Sequence, residues 1–501
     1  MSLSGGSGGS SSPRAGTAGG SGGSSPGAVT LPAAAALSAS FGELVPWLIA
    51  VAVFAPYTLI SVLRYLQHDP ASWDLGIFTE YVRQYANLHA PIVNIRGAGI
   101  DLLGDHFHPI VALIAPFFRV FPTPITLLVA QALLAAVSVV PVCRAGRELL
   151  GRKAGWAIGA AYGFSWGLQQ LVNYDFHELA FAVPLLAFSL SALVTRRMRA
   201  AVLWAMPLVF VKEDQGLTLV AIGLIMAFGY RCRRQGLFLA GWGLAWSLLA
   251  VLVIIPHFNP DHTYWYWSHA GTADPLSPHF GPGGVWRSLS DGGSTKIETL
   301  AMILLPTAFV ALRSPLALAA LPSLGLRFLA DNPSYWGTQW HYSAPLMPII
   351  FIAAIDGLTR LRARKPGRLR SAAPVCAAAA MVVICGVLAF RFPLRTLATG
   401  STYDLSPHVA AQNAAMAVVP DGAAVATDLN LLAPLAARTN TYWLGNFGTN
   451  PATPYVVFDT LSSDWQPPPQ NVLEFVEGLT RHTMYQQIFF RDGVYVFRRV
   501  R

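Results

Sequence analysis

The chain has 501 residues, of which 53% are hydrophobic and only 12% are charged. Ordinary soluble proteins carry about twice that share of charged residues, ~25%, so the composition excludes that class and indicates a polytopic membrane protein. The net charge of +9 does not indicate a nucleic-acid partner, because 17 of the 34 Lys and Arg residues lie in short loops between apolar segments.

The apolar stretches predict an α-helical membrane domain. Residues 1–40 are rich in Gly, Ser, Ala and Pro, so we predict a disordered cytoplasmic tail. Residues 41–391 are predicted to form a transmembrane domain of about 11 helices, beginning with an uncleaved span at 43–66. The other predicted spans are 123–143, 153–172, 178–195, 199–211, 215–230, 236–256, 299–312, 315–329, 344–359 and 372–390. Several fall short of the ~20 residues that cross a hydrocarbon core, which leaves tilted or re-entrant helices open at 199–230 and 299–329.

Arginine-rich loops set the predicted orientation. Basic loops stay in the cytoplasm because positive charge resists translocation. The short basic loops lie at 144–153, 196–199, 231–234, 313 and 360–370. The N-terminus is therefore predicted to be cytoplasmic, and the longer loops with most of the His and acidic residues are predicted to face outside. Residues 108–121 are expected to lie in the outer interface or to be re-entrant, since a span there would place the loop 144–153 outside.

Residues 392–501 are predicted to form a small extracytoplasmic α/β domain. Helical stretches near 406–418 and 470–482 alternate with short β-branched or aromatic runs. The predicted strands are 423–427, 441–444 and 455–459, followed by a hairpin of 486–490 and 494–498 around Arg491-Asp492-Gly493. A Gly-rich phosphate loop is absent from this sequence, so nucleotide binding is not expected there.

Asp74 is the predicted catalytic residue. It follows Trp73 just outside the first span, where a carboxylate near the low-dielectric boundary is costly unless it is partnered or used. A positioned carboxylate that takes the proton of an attacking hydroxyl accelerates the reaction by ~10²–10⁴-fold. The alternative is that Asp74 only caps the amphipathic helix 75–86. Glu80 lies on a different face of that helix, so a mechanism with paired carboxylates is not expected.

Four outer loops together predict a substrate-binding site. One Asp or Glu can be explained as a helix cap, but the convergence of four polar clusters on one face indicates binding. The candidates are Asp105, His106 and His108, then Asp175 and His177, then Lys212, Glu213 and Asp214, and finally His341 and Tyr342. Residues 105, 106, 108, 175 and 177 offer His and carboxylate ligands for a divalent metal such as Zn or Mn. Their spacing matches no specific metal motif, and histidines that hold the structure or contact substrate are the alternative.

Three basic residues are candidates for binding a phosphate group. Arg64, Lys212 and Arg327 lie at or near the predicted outer ends of their spans, where long basic side chains commonly snorkel to lipid headgroups. The alternative is recognition of a lipid-linked phosphate that enters from the bilayer, for which Arg offers a bidentate fork. Lys212 can also form a salt bridge with Glu213 or Asp214 beside it.

Five motifs in order resemble a known family. They are Trp73-Asp74-Leu75-Gly76-Ile77-Phe78, Gly104-Asp105-His106-Phe107-His108-Pro109, Tyr174-Asp175-Phe176-His177, Lys212-Glu213-Asp214 and His341-Tyr342-Ser343-Ala344-Pro345. Across residues 57–360 the chain resembles a family of bacterial polytopic membrane proteins of unknown function that is grouped with the GT-C glycosyltransferase clan. The resemblance implies a GT-C-like fold in the bacterial cytoplasmic membrane.

The resemblance also implies a reaction. GT-C enzymes take a sugar from a polyprenyl-phosphate or polyprenyl-pyrophosphate donor at the outer face. Their first outer loop typically carries an acidic catalytic residue and interfacial helices, a layout that Asp74 and residues 108–121 match. The loop lacks an Asp-x-Asp, which leaves a divalent metal cofactor an open question. The expected partners are the lipid bilayer, a polyprenyl-phosphate-linked sugar donor and an acceptor that the sequence does not identify. The alternatives are a transporter or flippase, which typically has repeated halves, and a non-catalytic membrane scaffold.

Overall fold

The computed structural model describes residues 33–68, 73–266, 282–364, 368–446 and 450–500. The chain divides into a first unit, residues 1–43, and a second unit, residues 44–501. A helix of Ala33–Leu66 (α1) begins within the stretch that was predicted to be disordered, where four consecutive alanines favour a helix. The rest of the predicted tail, residues 1–32, lies outside the described residues.

Helices form most of the second unit. After α1 they are α2 (Trp73–Ala86), α3 (Ala115–Val120), α4 (Ile125–Val137), α5 (Val139–Leu150), α6 (Arg152–Gly163), α7 (Trp166–Tyr174), α8 (Leu179–Val194), α9 (Met198–Ala205), α10 (Gln215–Leu224), α11 (Arg233–Leu249), α12 (Ile255–Phe258), α13 (Pro282–Ser290), α14 (Gly293–Leu304), α15 (Leu321–Leu329), α16 (Leu346–Arg364), α17 (Arg368–Ala389), α18 (Pro407–Val418), α19 (Leu429–Ala436) and α20 (Val472–Leu479). Tighter 3₁₀ turns at Pro109–Ile114, Met206–Phe210 and Pro315–Ala320, and wider π turns at Ile225–Gly229 and Ala250–Ile254, extend several of them.

Ten apolar helical stretches lie within the described residues. Five are long and apolar enough to cross a membrane: Gly42–Leu66, Ile125–Leu150, Arg233–Phe258, His341–Ala363 and Ala372–Ala389. Five are shorter: Pro109–Val120, Leu179–Val194, Met198–Phe210, Gln215–Gly229 and Pro315–Leu329. The predicted class of a mostly helical membrane protein is confirmed, whereas the predicted number of eleven spans is not.

Two predicted spans are interrupted. The predicted span 153–172 breaks where α6 ends at Gly163 and α7 starts at Trp166. The predicted span 299–312 breaks after Leu304, because Pro306 follows and the next residues, Ala308 and Phe309, have positive φ angles of 48° and 60°. Apolar composition alone does not reveal such interruptions.

Helices α10 and α11 pack with their backbones in contact. A Cβ atom on Gly216 would lie 2.3 Å from the carbonyl oxygen of Gly243, and one on Gly243 would lie 2.4 Å from that of Gly216. Small residues permit this close approach between helices. The contact fixes the end of α10 that follows Lys212-Glu213-Asp214, and Ser247 of α11 donates a hydrogen bond to the Glu213 carbonyl oxygen (2.5 Å).

The C-terminal residues contain a five-stranded sheet, as predicted. Its strands are β1 (Ala424–Thr427), β2 (Asn440–Trp443), β3 (Tyr455–Asp459), β4 (Tyr485–Arg491) and β5 (Val494–Arg499), in the spatial order β2-β1-β3-β5-β4. Strand β1 runs parallel to β2 and β3, while β5 runs antiparallel to β3 and β4. The predicted strands and the hairpin are confirmed within two residues at each end, whereas α19 between β1 and β2 was not predicted.

The sheet packs against the helix that carries Asp74. Trp443, at the carboxyl end of β2, meets Trp73 edge-on with 4.7 Å between ring centroids. A Cβ atom on Gly76 would lie 3.0 Å from Cβ of Leu432 in α19. Open α/β sheets usually bind ligands at the carboxyl ends of their parallel strands. Here that edge contacts α2 instead.

Candidate functional site

A cavity of about 760 Å³ lies beside α2 and is lined by residues from seven parts of the chain, 73–78, 96–108, 174–179, 212–215, 264–266, 323–335 and 342–345. Ligand sites commonly have volumes of ~300–1,000 Å³. Ten of the thirteen predicted site residues line it: Asp74, Asp105, His106, His108, His177, Lys212, Glu213, Asp214, Arg327 and Tyr342. The polar clusters that the sequence predicts to lie outside therefore meet around one space.

Asp74 lies in the first turn of α2. Its Oδ2 accepts a hydrogen bond from the Tyr174 hydroxyl (2.8 Å), and it forms no ion pair among the described residues. Burial raises the pKa of the Asp74 carboxyl above its ordinary value, and Asp105 adds to the shift, although Tyr174, Lys212 and His106 oppose it. A carboxylate with a raised pKa is a stronger base, provided that it is ionised.

Lys212 forms an ion pair with a buried glutamate. Its Nζ lies 3.2 Å from Oε1 of Glu178, which is 1% exposed. Burial lowers the pKa of Lys212, but the neighbouring Glu178, Glu213 and Asp214 outweigh it and hold the pKa well above its ordinary value. Lys212 therefore stays charged, with its charge already partly compensated.

Glu213 is the centre of a buried hydrogen-bond network. Its Oε1 lies 2.7 Å from Nδ1 of His106 and accepts from the Tyr264 hydroxyl (2.9 Å), while its Oε2 accepts from the Phe107 backbone N–H (3.1 Å). Burial opposes ionisation of both partners, yet their mutual attraction lowers the pKa of Glu213 and raises that of His106. This ion pair links the loop before residue 109 to the start of α10.

Asp105 is held by Arg96 and Tyr266. Arg96 donates from Nε to Oδ2 (3.0 Å) and from Nη2 to Oδ1 (3.4 Å), and the Tyr266 hydroxyl donates to Oδ1 (3.0 Å). The Tyr266 ring also stacks on His106 at 4.2 Å. Burial raises the pKa of Asp105, but His106 and Arg96 outweigh it, so that the pKa lies below its ordinary value.

Arg327 is a buried cation without a carboxylate partner among the described residues. Its side chain is 7% exposed. Nε donates to the Tyr335 carbonyl oxygen (2.9 Å), Nη1 to the Ser343 hydroxyl (3.2 Å) and Nη2 to the Gly337 carbonyl oxygen (2.9 Å). A guanidinium has five N–H donors, so one N–H on each terminal nitrogen remains beyond these bonds. Neutral partners thus fix the position of Arg327 while its positive charge stays uncompensated.

Three predicted site residues do not line this cavity. Arg64 and Asp175 line a smaller pocket between α1, α4, α7 and α19, and Tyr174 lines both this pocket and the main cavity. His341 stacks behind His177, with 3.6 Å between their ring centroids. The prediction that Arg64 acts at the same site as Lys212 and Arg327 is therefore not supported by their positions.

The described residues contain no group of three or more His, Cys, Asp or Glu side chains arranged to hold a metal ion. Of the predicted metal ligands, Asp105 forms an ion pair with Arg96 and His106 forms one with Glu213, while Asp175 lines the smaller pocket. The His108 ring packs edge-on against the rings of Phe78 and Tyr81. These residues do not fit a metal centre, so no step of a mechanism is assigned to a metal.

The comparisons with known proteins identify the family. The family described as predicted membrane protein, DUF2079, matches residues 64–496. The chain belongs to this family. The curated proteins include no match to the chain.

Solved structures are similar to this DUF2079 member at low sequence identity. One is ArnT from Cupriavidus metallidurans bound to undecaprenyl phosphate, with 14% identity and a TM-score of 0.49 over 89% of this chain and 97% of that chain. Another is the Archaeoglobus fulgidus oligosaccharyltransferase complex with Zn and sulfate, with 13% identity and a TM-score of 0.45 over 89% and 73% of the two chains.

Several cavity residues were not predicted from the sequence. Arg96 pairs with Asp105, Tyr174 holds Asp74, and the hydroxyls of Tyr264 and Tyr266 reach carboxylates. Arg96 is the single Lys or Arg between residues 84 and 118, and an isolated cation in an acidic loop was the available signal. The tyrosines gave no comparable signal, because their partners are more than 50 residues away in the chain.

Proposed function

We propose that this protein is a membrane glycosyltransferase that moves a sugar from a polyprenyl-phosphate donor to an acceptor hydroxyl on the outer face of the bacterial cytoplasmic membrane. The acceptor oxygen attacks the anomeric carbon and its proton passes to Asp74. The bond from that carbon to the phosphate oxygen breaks, and the electron pair leaves with polyprenyl phosphate. The attack comes from the side opposite the leaving group, so the configuration at that carbon inverts.

One observation carries the proposal: an uncompensated cation and two carboxylates without an ion-pair partner line the same cavity. Arg96 pairs with Asp105, Lys212 with Glu178, and His106 with Glu213. Among the described charged residues of the cavity this leaves Arg327 without an anion, and Asp74 and Asp214 without a cation. A cavity that binds an anion and removes a proton needs these two kinds of group.

Asp74 is the proposed general base. Burial raises its pKa, and the Tyr174 hydroxyl fixes one carboxylate oxygen, which leaves Oδ1 for the acceptor. Oδ1 of Asp214 accepts a hydrogen bond from Nε2 of Gln215 beside it (3.1 Å). We assign Asp214 to binding of substrate hydroxyls, because it belongs to the charged segment Lys212-Glu213-Asp214 before α10 and not to α2, the helix that carries Asp74.

Arg327 is the proposed phosphate-binding residue. Its two remaining N–H groups match two phosphate oxygens, and charge-assisted bidentate bonds are roughly twice as strong as neutral hydrogen bonds. As the sugar leaves, negative charge grows on the phosphate, and a fixed guanidinium stabilises that charge. Lys212 adds positive potential, but Glu178 compensates much of it.

The test is turnover by the purified full-length protein. It is incubated in lipid nanodiscs with a panel of polyprenyl-phosphate sugars and a bacterial envelope extract that supplies acceptor hydroxyls. Parallel reactions contain Mg²⁺, Mn²⁺ or a chelator, and release of polyprenyl phosphate is followed by mass spectrometry. The proposal expects release with at least one donor. Absence of release and of binding with every donor would contradict it and favour a transporter or a scaffold. Release that stops with the chelator would contradict a mechanism in which no step is assigned to a metal.

A further inference from the structure

Helix α15 supplies one wall of the cavity. Ser323, Leu326 and Ala330 line the cavity, and residues three or four positions apart in a helix share a face. Arg327 lies beside this face and also lines the cavity. The wall therefore carries one buried positive charge, and Leu326, Leu329 and Ala330 after the helix give it apolar surface beside Ser323.

The same segment, Pro315–Leu329, has a second apolar face that no described residue covers. Leu318 and Leu321 are exposed, and a Cβ atom on Gly325 would meet no heavy atom within 4 Å. None of the three lines the cavity. Leu326 belongs to the cavity wall and is also 44% exposed. Successive residues of a helix lie about 100° apart, so Leu326 lies between the outer face at Gly325 and the side of α15 that carries Arg327.

We propose that this surface binds the polyprenyl chain of the donor, which runs along α15 and across Leu326 and ends with its phosphate on Arg327. The inference rests on the proposed function and adds the path of the lipid. An isoprenoid phosphate fits because it joins one anionic group to a long apolar chain, as the wall joins one uncompensated cation to a long apolar face. A phosphate without a lipid chain would reach Arg327 but would make no use of this apolar surface.

The experiment measures binding of undecaprenyl phosphate, separately from any transfer of sugar. The full-length protein in nanodiscs is titrated with undecaprenyl phosphate, and inorganic phosphate is used as a competing headgroup probe. Leu326→Asn is expected to weaken binding of the lipid about tenfold, since it removes contact with one leucine. The inhibition constant of inorganic phosphate is expected to stay unchanged. Arg327→Gln is expected to weaken binding of both the lipid and inorganic phosphate.

Leu133→Asn is the matched control. Leu133 is 51% exposed on α4 and does not line the cavity, so this change is expected to leave binding of the lipid unaltered. Leu326→Ala gives a second variant of the same contact if the asparagine substitution does not fold, with an expected weakening in the same direction. Equal binding by wild type and the folded Leu326 variants would overturn the proposed path, as would equal losses in the Leu326 and Leu133 variants.

Transfer and binding separate the two proposals. Binding that depends on Leu326 and Arg327 in a protein that transfers no sugar would support the lipid path and contradict the transferase. Transfer of sugar that is insensitive to Leu326, together with unchanged lipid binding, would support the transferase and contradict the path.

Discussion

The hydrogen bond between Tyr174 and Asp74 is the contact that most directly controls the proposed base. The bond stabilises the ionised carboxylate, because a donor to a charged acceptor contributes more than one to a neutral group. Other charged or titratable groups that influence Asp74 are Lys212, His106 and Asp105. Of these neighbours, Tyr174 is the one bonded to the carboxylate.

Tyr174→Phe is predicted to raise the pKa of Asp74 further, because burial already raises it and the variant removes an opposing contact. A base acts only when ionised, so the acidic limb of the pH–activity profile should move upward by about one pH unit. The measurement is kcat against pH for both proteins. Tyr85→Phe, on the same helix but away from the cavity, serves as the control. An acidic limb that stays in place in Tyr174→Phe would show that Asp74 is not the titrating base.

The pair of His106 and Glu213 is predicted to stabilise the fold. His106→Gln leaves a buried glutamate with fewer compensating contacts and is expected to reduce the free energy of unfolding by about 3 kcal/mol. The pKa of His106 is raised in the folded state, so its stabilisation is present below the unfolded pKa of ~6.5 and is lost as the pH rises through the folded value. Thermal unfolding from pH 6 to 9 tests this prediction. The exposed His257→Gln is the control, and a His106 variant with wild-type pH dependence would refute the assignment.

At the scale of elements, the contact between α2 and α19 is predicted to be necessary for the site. Gly76→Val is expected to push α19 away from α2, because even a Cβ atom would lie 3.0 Å from Leu432. Overpacking of this kind costs about 1–3 kcal/mol, and the displacement of α2 should also reduce kcat. Gly478→Val in α20 is the control, since a Cβ atom there meets nothing within 4 Å. Thermal stability and activity are measured together, and equal effects of the two changes would contradict a role for this contact.

The elements differ in how far the sequence predicts them. Strands β3 and β5 and their partners follow from short runs of β-branched and aromatic residues and from the turn at Asp492-Gly493, which are local signals. The short helices α6, α7 and α14 do not follow from local signals in the sequence, because apolar composition is the same in a continuous span and in an interrupted one. The positive φ angles at Ala308 and Phe309 depend on tertiary packing and leave no mark in the composition.

The candidate site is predictable in its members but not in its pairings. Ten predicted residues line one cavity because polar side chains in apolar surroundings are costly unless they are used. Their partners lie far away in the chain, as with His106 and Glu213 or Asp74 and Tyr174. Position near the end of a predicted span is also a weak guide, since Arg64 lies there and lines a different pocket.

At the scale of the whole molecule, the distribution of arginine predicts which side of the membrane each loop occupies. In a background without the native cysteines, Gln486→Cys in β4 is expected to react with a membrane-impermeant maleimide in intact cells. Arg234→Cys in a basic loop is expected to react only after the membrane is permeabilised. Both residues are exposed, so labelling with a permeant maleimide provides the control. The reverse pattern would place the cavity and Asp74 on the cytoplasmic side and contradict an extracytoplasmic transferase.

The effect of Asp74→Asn on glycosyl transfer shows most directly whether Asp74 is the general base of a transferase. The substitution keeps the size of the side chain and its oxygen acceptor for Tyr174 but removes the basic oxygen, so kcat should fall by about 10²–10⁴-fold while binding of undecaprenyl phosphate is retained. Asp101→Asn is the matched control, because Asp101 caps a 3₁₀ turn between α2 and α3 and asparagine preserves that cap. A kcat equal to that of Asp101→Asn would show that Asp74 is not the general base.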